Sequence, residues 1–282
     1  MSVESWDRDE IKKLALASGK PLEVECAVAF LKAKWNVRLG TYYNDILSEK
    51  VRELDVYIER REEIKVGAKR CTLRLRILGS CKGFPLDQGP ATYSISAESG
   101  SLHKPSFPCF SIAASSISEQ SATAFLHHAG LSAARQVIGF DILRRDNTKR
   151  QPQPEYSRIG DRDLYDGLDS ALKAAVFFYH DDRNRYEFPY SQVPGYVGLN
   201  IPLLVTSRPF WDVSVEGGIL GEPEIRYCAH HVGLYPFAGR EKRFEPIMSI
   251  LWHAAKIGEL TSVLDYLFAM LVDEIKLKLD KR

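Results

Sequence analysis

The chain has 282 residues, 45% of them hydrophobic and 27% charged, and its formal net charge is +1 at pH 7. This length can bury a substantial core in one large or two modest domains, and the near-neutral charge excludes a basic nucleic-acid footprint spread over the whole surface. No apolar run reaches the length of a membrane span, and the polar start MSVESWD lacks the pattern of a secretory leader. Five scattered cysteines favour reduced thiols, so we expect a cytoplasmic protein without a membrane segment.

The first predicted elements are a helix and a strand. Residues 21–35 carry a proline in the first turn and an apolar stripe at helical spacing, formed by Val24, Ala27, Val28, Leu31 and Trp35. Glu23 and Glu25 lie in the same first turn, where the helix dipole favours acidic residues. Residues 36–43 predict the first strand, and residues 44–50 predict a turn.

Two alternating runs follow, Glu53–Glu59 and Thr72–Lys82, and Gly67 lies in the short connection between them. Side chains of a strand alternate between its two faces, and a short connection joins antiparallel strands. One face of the first run holds Leu54, Val56 and Ile58, and one face of the second holds Leu73, Leu75 and Ile77. The opposite face of the second run holds Arg74, Arg76, Ser80 and Lys82. The pattern therefore predicts a hairpin on which Asp55 and Lys82 meet on one polar face.

The run RELDVY (52–57), followed by an apolar strand that ends in CKG (81–83), resembles the PD-(D/E)XK, or restriction-endonuclease-like, nucleases. The resemblance implies a core of helix, three strands, helix and strand, with Mg²⁺ or Mn²⁺ as cofactor and DNA as substrate. In that family an aspartate and an acidic-X-lysine triplet hold the metal and activate water. Asp55 matches the aspartate and Lys82 the lysine, but Ser80 occupies the acidic position. Serine is a poor ligand for a hard cation, so either another acid replaces it or the site is inactive.

Further ligands are implied by the same resemblance. The family often adds a helix glutamate, and Glu23 fits that place better than Glu25. The main-chain carbonyl of Cys81 would add a ligand, and Glu98 or Glu119 would supply the missing acid, with Glu98 nearer in sequence. Asp45 is a weaker candidate, and turn chemistry explains it equally well. The predicted catalytic residues are thus Asp55, Lys82, Glu23 and Ser80, and the predicted metal ligands are Asp55, Cys81, Glu23 and Glu98.

Residues 84–160 are predicted to be an insertion or elaboration on this core. Residues 84–113 are rich in Gly, Pro and Ser, which indicates loops with one short strand near residues 108–112. A capping box at residues 116–119 predicts a helix that ends before Gly130. A short ordered segment at residues 133–143 then precedes a polar tract, residues 144–154.

The remaining elements complete a single domain, residues 1–282. Residues 163–178 predict a helix and residues 199–215 a buried strand, an order that resembles the second half of the family core. Another strand is predicted at residues 224–228. Residues 247–278 predict a long amphipathic helix within a C-terminal extension, residues 245–282, suited to core packing or to contact in a homodimer.

Other patterns are weaker. The chain has two basic clusters, each of which is either solvated surface or a contact for nucleic acid. They are Lys65, Lys69, Arg70, Arg74 and Arg76 at the hairpin, and Arg144, Arg145, Lys149 and Arg150 in the polar tract. Cys228, His230 and His231 lack the second paired cluster of a zinc site. The sequence contains no Gly-rich phosphate loop and no nucleophile elbow, and Ser80-Cys81-Lys82 lacks the partners of a nucleophilic site.

These observations predict a metal-dependent nuclease that acts on DNA, with a role in prokaryotic defence suggested only by the resemblance. One alternative is an inactive relative that binds nucleic acid or a protein partner and keeps Asp55 and Lys82 as an ion pair. Another is an unrelated α/β enzyme in which the strand motif is coincidental.

Overall fold

The computed structural model describes residue 7 and residues 19–85, 87–96, 110–113, 119–131, 135–146, 155–160, 162–186, 195–215, 224–238 and 244–281. The helices are α1 (Lys20–Lys32), α2 (Glu119–His128), α3 (Arg162–Tyr186) and α4 (Ile257–Asp280), with a short 3-10 turn, Ala254–Lys256, before α4. The strands are β1 (Asn36–Asn44), β2 (Val51–Val66), β3 (Lys69–Lys82), β4 (Gln88–Ser96), β5 (Phe110–Ala113), β6 (Arg135–Asp146), β7 (Glu155–Gly160), β8 (Gly195–Thr206), β9 (Phe210–Val215), β10 (Glu224–Cys228), β11 (His230–Ala238) and β12 (Phe244–His253). The predicted mixed α/β class is confirmed.

The strands form one mixed sheet in the order β1-β2-β3-β8-β12-β11-β6-β4-β9-β10, with β5 paired to β8 and β7 paired to β6. β1, β2 and β3 make an antiparallel meander, and β8 runs parallel to β3 on the other side. β12 then runs parallel to β8. Along the chain α1 and β1 to β3 are followed by β4, β5, α2, β6 and β7, and only then by α3 and β8.

The hairpin of β2 and β3 forms as predicted. The two strands pair from Val56↔Gly79 to Val66↔Lys69, and Gly67 closes the turn with φ +59°, a conformation that favours glycine. Arg76 and Ser80 on β3 face α3, since Arg76 pairs with Asp182 and Ser80 lies beside Gly167. The odd-numbered residues of β3 face α1 and α4, where Leu73, Leu75 and Ile77 are fully buried.

The predicted apolar stripe of the first helix is wrong in part, because Ala27 and Trp35 are buried but Val24, Val28 and Leu31 are 53%, 42% and 55% exposed. The buried face of α1 is made of Leu22, Glu23, Cys26, Ala27 and Phe30. Both sets recur at helical spacing, so periodicity alone does not decide between them. The buried set is the one that reaches the sheet, and it takes Glu23 into the interior.

The predicted start of the C-terminal helix, residue 247, is wrong. Residues 247–253 belong to β12, and α4 starts only at Ile257. Ile247, Met248, Ile250 and Leu251 are all buried, because β12 lies between β8 and β11 inside the sheet. A short apolar run that is buried on both faces resembles a buried helix in sequence. The apolar stripe of α4 itself, including Leu260, Leu264, Leu267 and Leu271, packs in the core.

Two further predictions are corrected. Gln88–Ser96, expected to be loop, forms β4 between β6 and β9, and β6 extends to Asp146 within the expected polar tract. Thr92 and Ser94 of β4 are buried and both donate hydrogen bonds to Asp212, so polar composition did not indicate exposure here.

No helix among the described segments is long and apolar enough to cross a membrane.

Candidate functional site

Asp55 lies just beyond Val56, where the backbone pairing of β2 with β3 ends. From there on, the Asp55 carboxylate bonds to β3 in place of the backbone. Ser80 Oγ donates a hydrogen bond to Asp55 Oδ2 at 2.9 Å, and the main-chain N–H of Cys81 donates to the same oxygen at 2.8 Å. Ser80 therefore acts as a hydrogen-bond donor in the position where the resembled family has an acid. Within the described part of the chain, Asp55 Oδ1 accepts no hydrogen bond.

The alternation of β2 is interrupted at Asp55. Val56 lies against Gly79 and Leu203 on the α4 side, whereas Leu54 packs with Ala174 and Ala175 of α3, so the prediction that Leu54 and Val56 share a face is wrong. The pairing of β1 with β2 breaks at the same place, opposite Gly40, whose φ is +61°. The negative charges of Asp55 and Glu53, which flank Leu54, both act on Glu23 of α1.

Glu23 is 6% exposed in the first turn of α1. Burial raises the pKa of its carboxyl group, the hydrogen bond from Lys20 opposes that rise, and the negative charges of Asp55 and Glu53 reinforce it. Lys20 Nζ lies 3.0 Å from both carboxylate oxygens of Glu23, and the Lys20 side chain is 65% exposed. The charges of Asp55 and Glu53 therefore disfavour ionisation of Glu23, an effect that a cation bound nearby would oppose.

Lys82 lies on the α3 side of β3, in the space left by a glycine. A Cβ atom at Gly167 would lie 2.7 Å from Lys82 Cε and 3.2 Å from Ser80 Oγ, so the absence of a side chain there leaves the space that Lys82 occupies. Among the described residues no carboxylate forms an ion pair with Lys82. Asp55 and Lys82 therefore lie on neighbouring strand ends without the ion pair that an inactive relative was expected to keep.

The other predicted ligands are less favourably placed. The carbonyl oxygen of Cys81 lies against Gly19, where an added Cβ would come within 2.7 Å. The Cys81 thiol is buried, and the neighbouring Cys26 thiol and burial both raise its pKa. Glu98 and the side chain of Glu119 lie outside the described residues. Within the described segments no group of three or more His, Cys, Asp or Glu side chains is placed to hold a metal ion.

Asp45 is explained by turn chemistry. Its carboxylate is 1% exposed and accepts hydrogen bonds from the Leu47 N–H, Ser48 and Arg52, with Lys173 Nζ at 3.7 Å. Burial would raise the pKa of Asp45, but the hydrogen bonds from Ser48, Leu47 and Arg52 lower it to about 2. The three hydrogen bonds from Leu47, Ser48 and Arg52 stabilise the turn between β1 and β2.

The basic cluster at the hairpin is not a continuous surface. Arg76 is 1% exposed and makes two hydrogen bonds to Asp182, at 2.7 and 2.8 Å, and Arg74 pairs with Glu59 at 2.8 Å. A positive guanidinium buried in this way requires such partners, because an unpaired buried charge is strongly destabilising. In the second cluster Arg144 pairs with Asp87 at 2.9 Å, and Lys149 and Arg150 lie outside the described residues.

Sequence reasoning missed Lys20, Glu53 and Gly167. Glu53 stands in the same RELDVY run as Asp55 but was taken as part of a regular strand. Gly167 gave a usable signal, because glycine inside a helix costs about 1 kcal/mol relative to alanine and so indicates a close approach. Nothing in the sequence marked Lys20 as the partner of Glu23.

Comparison of the chain with protein-family models, with curated proteins and with solved structures found no match.

Proposed function

We propose that this chain is a divalent-metal-dependent nuclease of the PD-(D/E)XK type that hydrolyses DNA phosphodiester bonds. The observation that carries the proposal is the state of Asp55, near the start of β2: its Oδ1 accepts no hydrogen bond from the described residues, and its charge acts on the buried Glu23. Lys82 lies at the end of the neighbouring strand. The element order α1, β1 to β3, α3 and β8, with β8 parallel to β3, supports the resemblance from which the proposal started.

The side chains present are compatible with Mg²⁺ or Mn²⁺. Asp55 Oδ1 accepts no hydrogen bond from the described residues, and Glu23 lies in the field of two other carboxylates. Mg²⁺ keeps several waters and is commonly held by one or two carboxylates together with substrate phosphates, so a complete protein cage is not required. Asp55 and Glu23 would hold the ion, which when bound neutralises the scissile phosphate and lowers the pKa of water.

The remaining residues have supporting roles. The Lys82 ammonium has no acidic partner within the described part of the chain, so it can stabilise the negative charge that develops on the phosphate. Ser80 and the Cys81 N–H orient Asp55 by binding one of its oxygens. Lys20 neutralises Glu23 and, being exposed, can move away when a cation replaces it.

A second candidate function is a nuclease-like protein that binds nucleic acid or a protein partner without cleaving. Two contacts favour it. Asp55 Oδ2 is already engaged by two donors, and both oxygens of Glu23 lie 3.0 Å from Lys20. In this alternative the replacement of an acid by Ser80 ended catalysis and kept the fold.

Cleavage of linear and plasmid DNA in Mg²⁺ or Mn²⁺ separates the two candidates. The nuclease proposal predicts cleavage by the parent protein that Lys82→Ala lowers by at least about 100-fold, a typical loss for an electrostatic catalytic group. Lys276→Ala, a change of the same type on the exposed side of α4, should cleave like the parent. Equal residual activity in the parent and Lys82→Ala would indicate a contaminant. No cleavage by the parent, with activity gained in Ser80→Glu, would favour the second candidate.

A further inference from the structure

Three parallel strands, β3, β8 and β12, end at the same edge of the sheet. The register places Lys82 beside Thr206, and Thr206 beside His253. Adjacent strands are about 4.8 Å apart, so these residues form one short row across the sheet. Ligands of α/β proteins commonly bind beyond the carboxyl ends of parallel strands.

The segment that follows β8 is fixed in this row by hydrogen bonds. The Ser207 N–H donates to the Lys82 carbonyl at 3.2 Å, and Ser207 Oγ accepts from the Phe84 N–H at 2.7 Å. Thr206 Oγ1 donates to the Arg208 carbonyl at 2.6 Å. Arg208 is therefore held by the same turn that ties the end of β8 to the end of β3.

The guanidinium of Arg208 has N–H donors that no acceptor among the described residues satisfies. Its Nε is buried and has no hydrogen-bond partner, and no carboxylate among the described residues pairs with its guanidinium. Leaving a buried donor unsatisfied is costly, and a charged donor more so. Lys82, in the adjacent strand, likewise lacks an acidic partner within the described segments.

Charges of both signs act on His253, the residue of β12 that lies in this row. Burial lowers the pKa of the His253 imidazole, and the positive charge of Arg208 lowers it further, whereas the Ser207 backbone and Glu25 act in the opposite direction. Glu25 is exposed on α1, so it can be solvated when an anion approaches. Lys82 ends β3 and Arg208 follows the end of the adjacent β8, and neither pairs with a carboxylate among the described residues. Two such cations suit a ligand with neighbouring negative charges.

We infer that Arg208 binds a phosphate of the nucleic-acid backbone next to the phosphate that Lys82 contacts, an inference that rests on the proposed nuclease function. A guanidinium presents paired donors that match phosphate oxygens. Successive phosphates of one strand are separated by about 3.4 Å of rise along the axis of a DNA helix, so cations that follow two strands about 4.8 Å apart suit neighbouring phosphates. Arg208 thus holds the substrate strand in register with Asp55 and does not take part in the bond cleavage.

The test is binding of a fluorescein-labelled DNA duplex in EDTA, followed by anisotropy over a range of KCl concentrations. Arg208→Gln should weaken binding several-fold for every DNA sequence and lower the slope of log K against log [salt] by about 1. Arg208→Lys should keep the slope and bind with intermediate affinity, which also shows that loss in the glutamine variant is not misfolding.

Arg185→Gln is the matched control, because Arg185 is exposed in the last turn of α3, whereas Lys82 lies beside Gly167 near the start of that helix. It should bind like the parent. Unchanged affinity and slope in Arg208→Gln, an equal loss in Arg185→Gln, or a parent that does not bind DNA would each overturn the inference. Dependence of binding on Arg208 without metal-dependent cleavage by the parent would leave the inference standing and overturn the nuclease proposal.

Discussion

Asp45 and Asp55 show at the scale of single residues how the surroundings of a carboxylate determine its role. Asp45 is surrounded by donors and cations, and its pKa is lowered to about 2. Asp55 has two donors on one oxygen and, within the described part of the chain, none on the other. A fully satisfied buried carboxylate stabilises a turn, whereas an oxygen without a donor is available to a cation.

A pH-dependent contribution to stability follows from the Asp45 environment. The folded pKa of about 2 lies below the unfolded value of 3.8, so the stabilisation is complete above about pH 4 and is lost as the pH falls toward 2. The difference corresponds to roughly 2 kcal/mol. Urea unfolding at several pH values should show that the parent loses about this much more stability on acidification than Asp45→Asn does. Parallel losses in both proteins would contradict the role of Asp45.

At the scale of elements, the position of the Lys82 side chain on β3 depends on one glycine of α3. Gly167→Ala should stabilise an isolated helix by about 1 kcal/mol, yet the added Cβ would lie 2.7 Å from Lys82 Cε and so displace that side chain. We expect cleavage to fall by at least about tenfold, since small displacements of a catalytic group are costly, while the thermal unfolding transition stays cooperative.

Gly258→Ala is the control for this prediction, because an added Cβ there meets no atom within 4 Å and the residue also lies in a helix. It should retain the cleavage rate of the parent. A Gly167→Ala protein that cleaves as fast as the parent would show that the position of Lys82 does not depend on the close approach of α3.

Elements with clear alternation or clear turn chemistry were predicted correctly. The hairpin of β2 and β3, with Gly67 in its turn, and the helix that begins at Glu119 follow from local spacing. The buried face of α1 and the strand β12 could not be predicted from local spacing. Their sequences fit two structures equally well, and contacts from distant segments decide between them. For the candidate site, Asp55 and Glu23 were identified from the sequence, but the effect of the Glu53 charge on Glu23 depends on how α1 packs against the sheet and has no local signature.

At the scale of the whole molecule, the site depends on segments that are far apart in sequence. α1 contributes Glu23 and Lys20, β2 contributes Asp55 and Glu53, β3 contributes Lys82, and α3 provides the space at Gly167. The acidic group therefore exists only when the sheet and both of its faces are assembled, so its cation affinity should depend on folding. Because the protein ligands are few, substrate phosphates should strengthen metal binding.

Calorimetric titration of Mn²⁺ into the protein, alone and with a cleavage-resistant phosphorothioate DNA, tests the central claim most directly. We predict one saturable site in the parent that binds more tightly with DNA. Asp55→Asn, which can still accept hydrogen bonds from Ser80 and Cys81, should abolish it, and Asp273→Asn, at an exposed position of α4, should leave it unchanged. Absence of saturable binding in the parent with DNA present, or equal binding by Asp55→Asn, would contradict a metal site at this edge of the sheet.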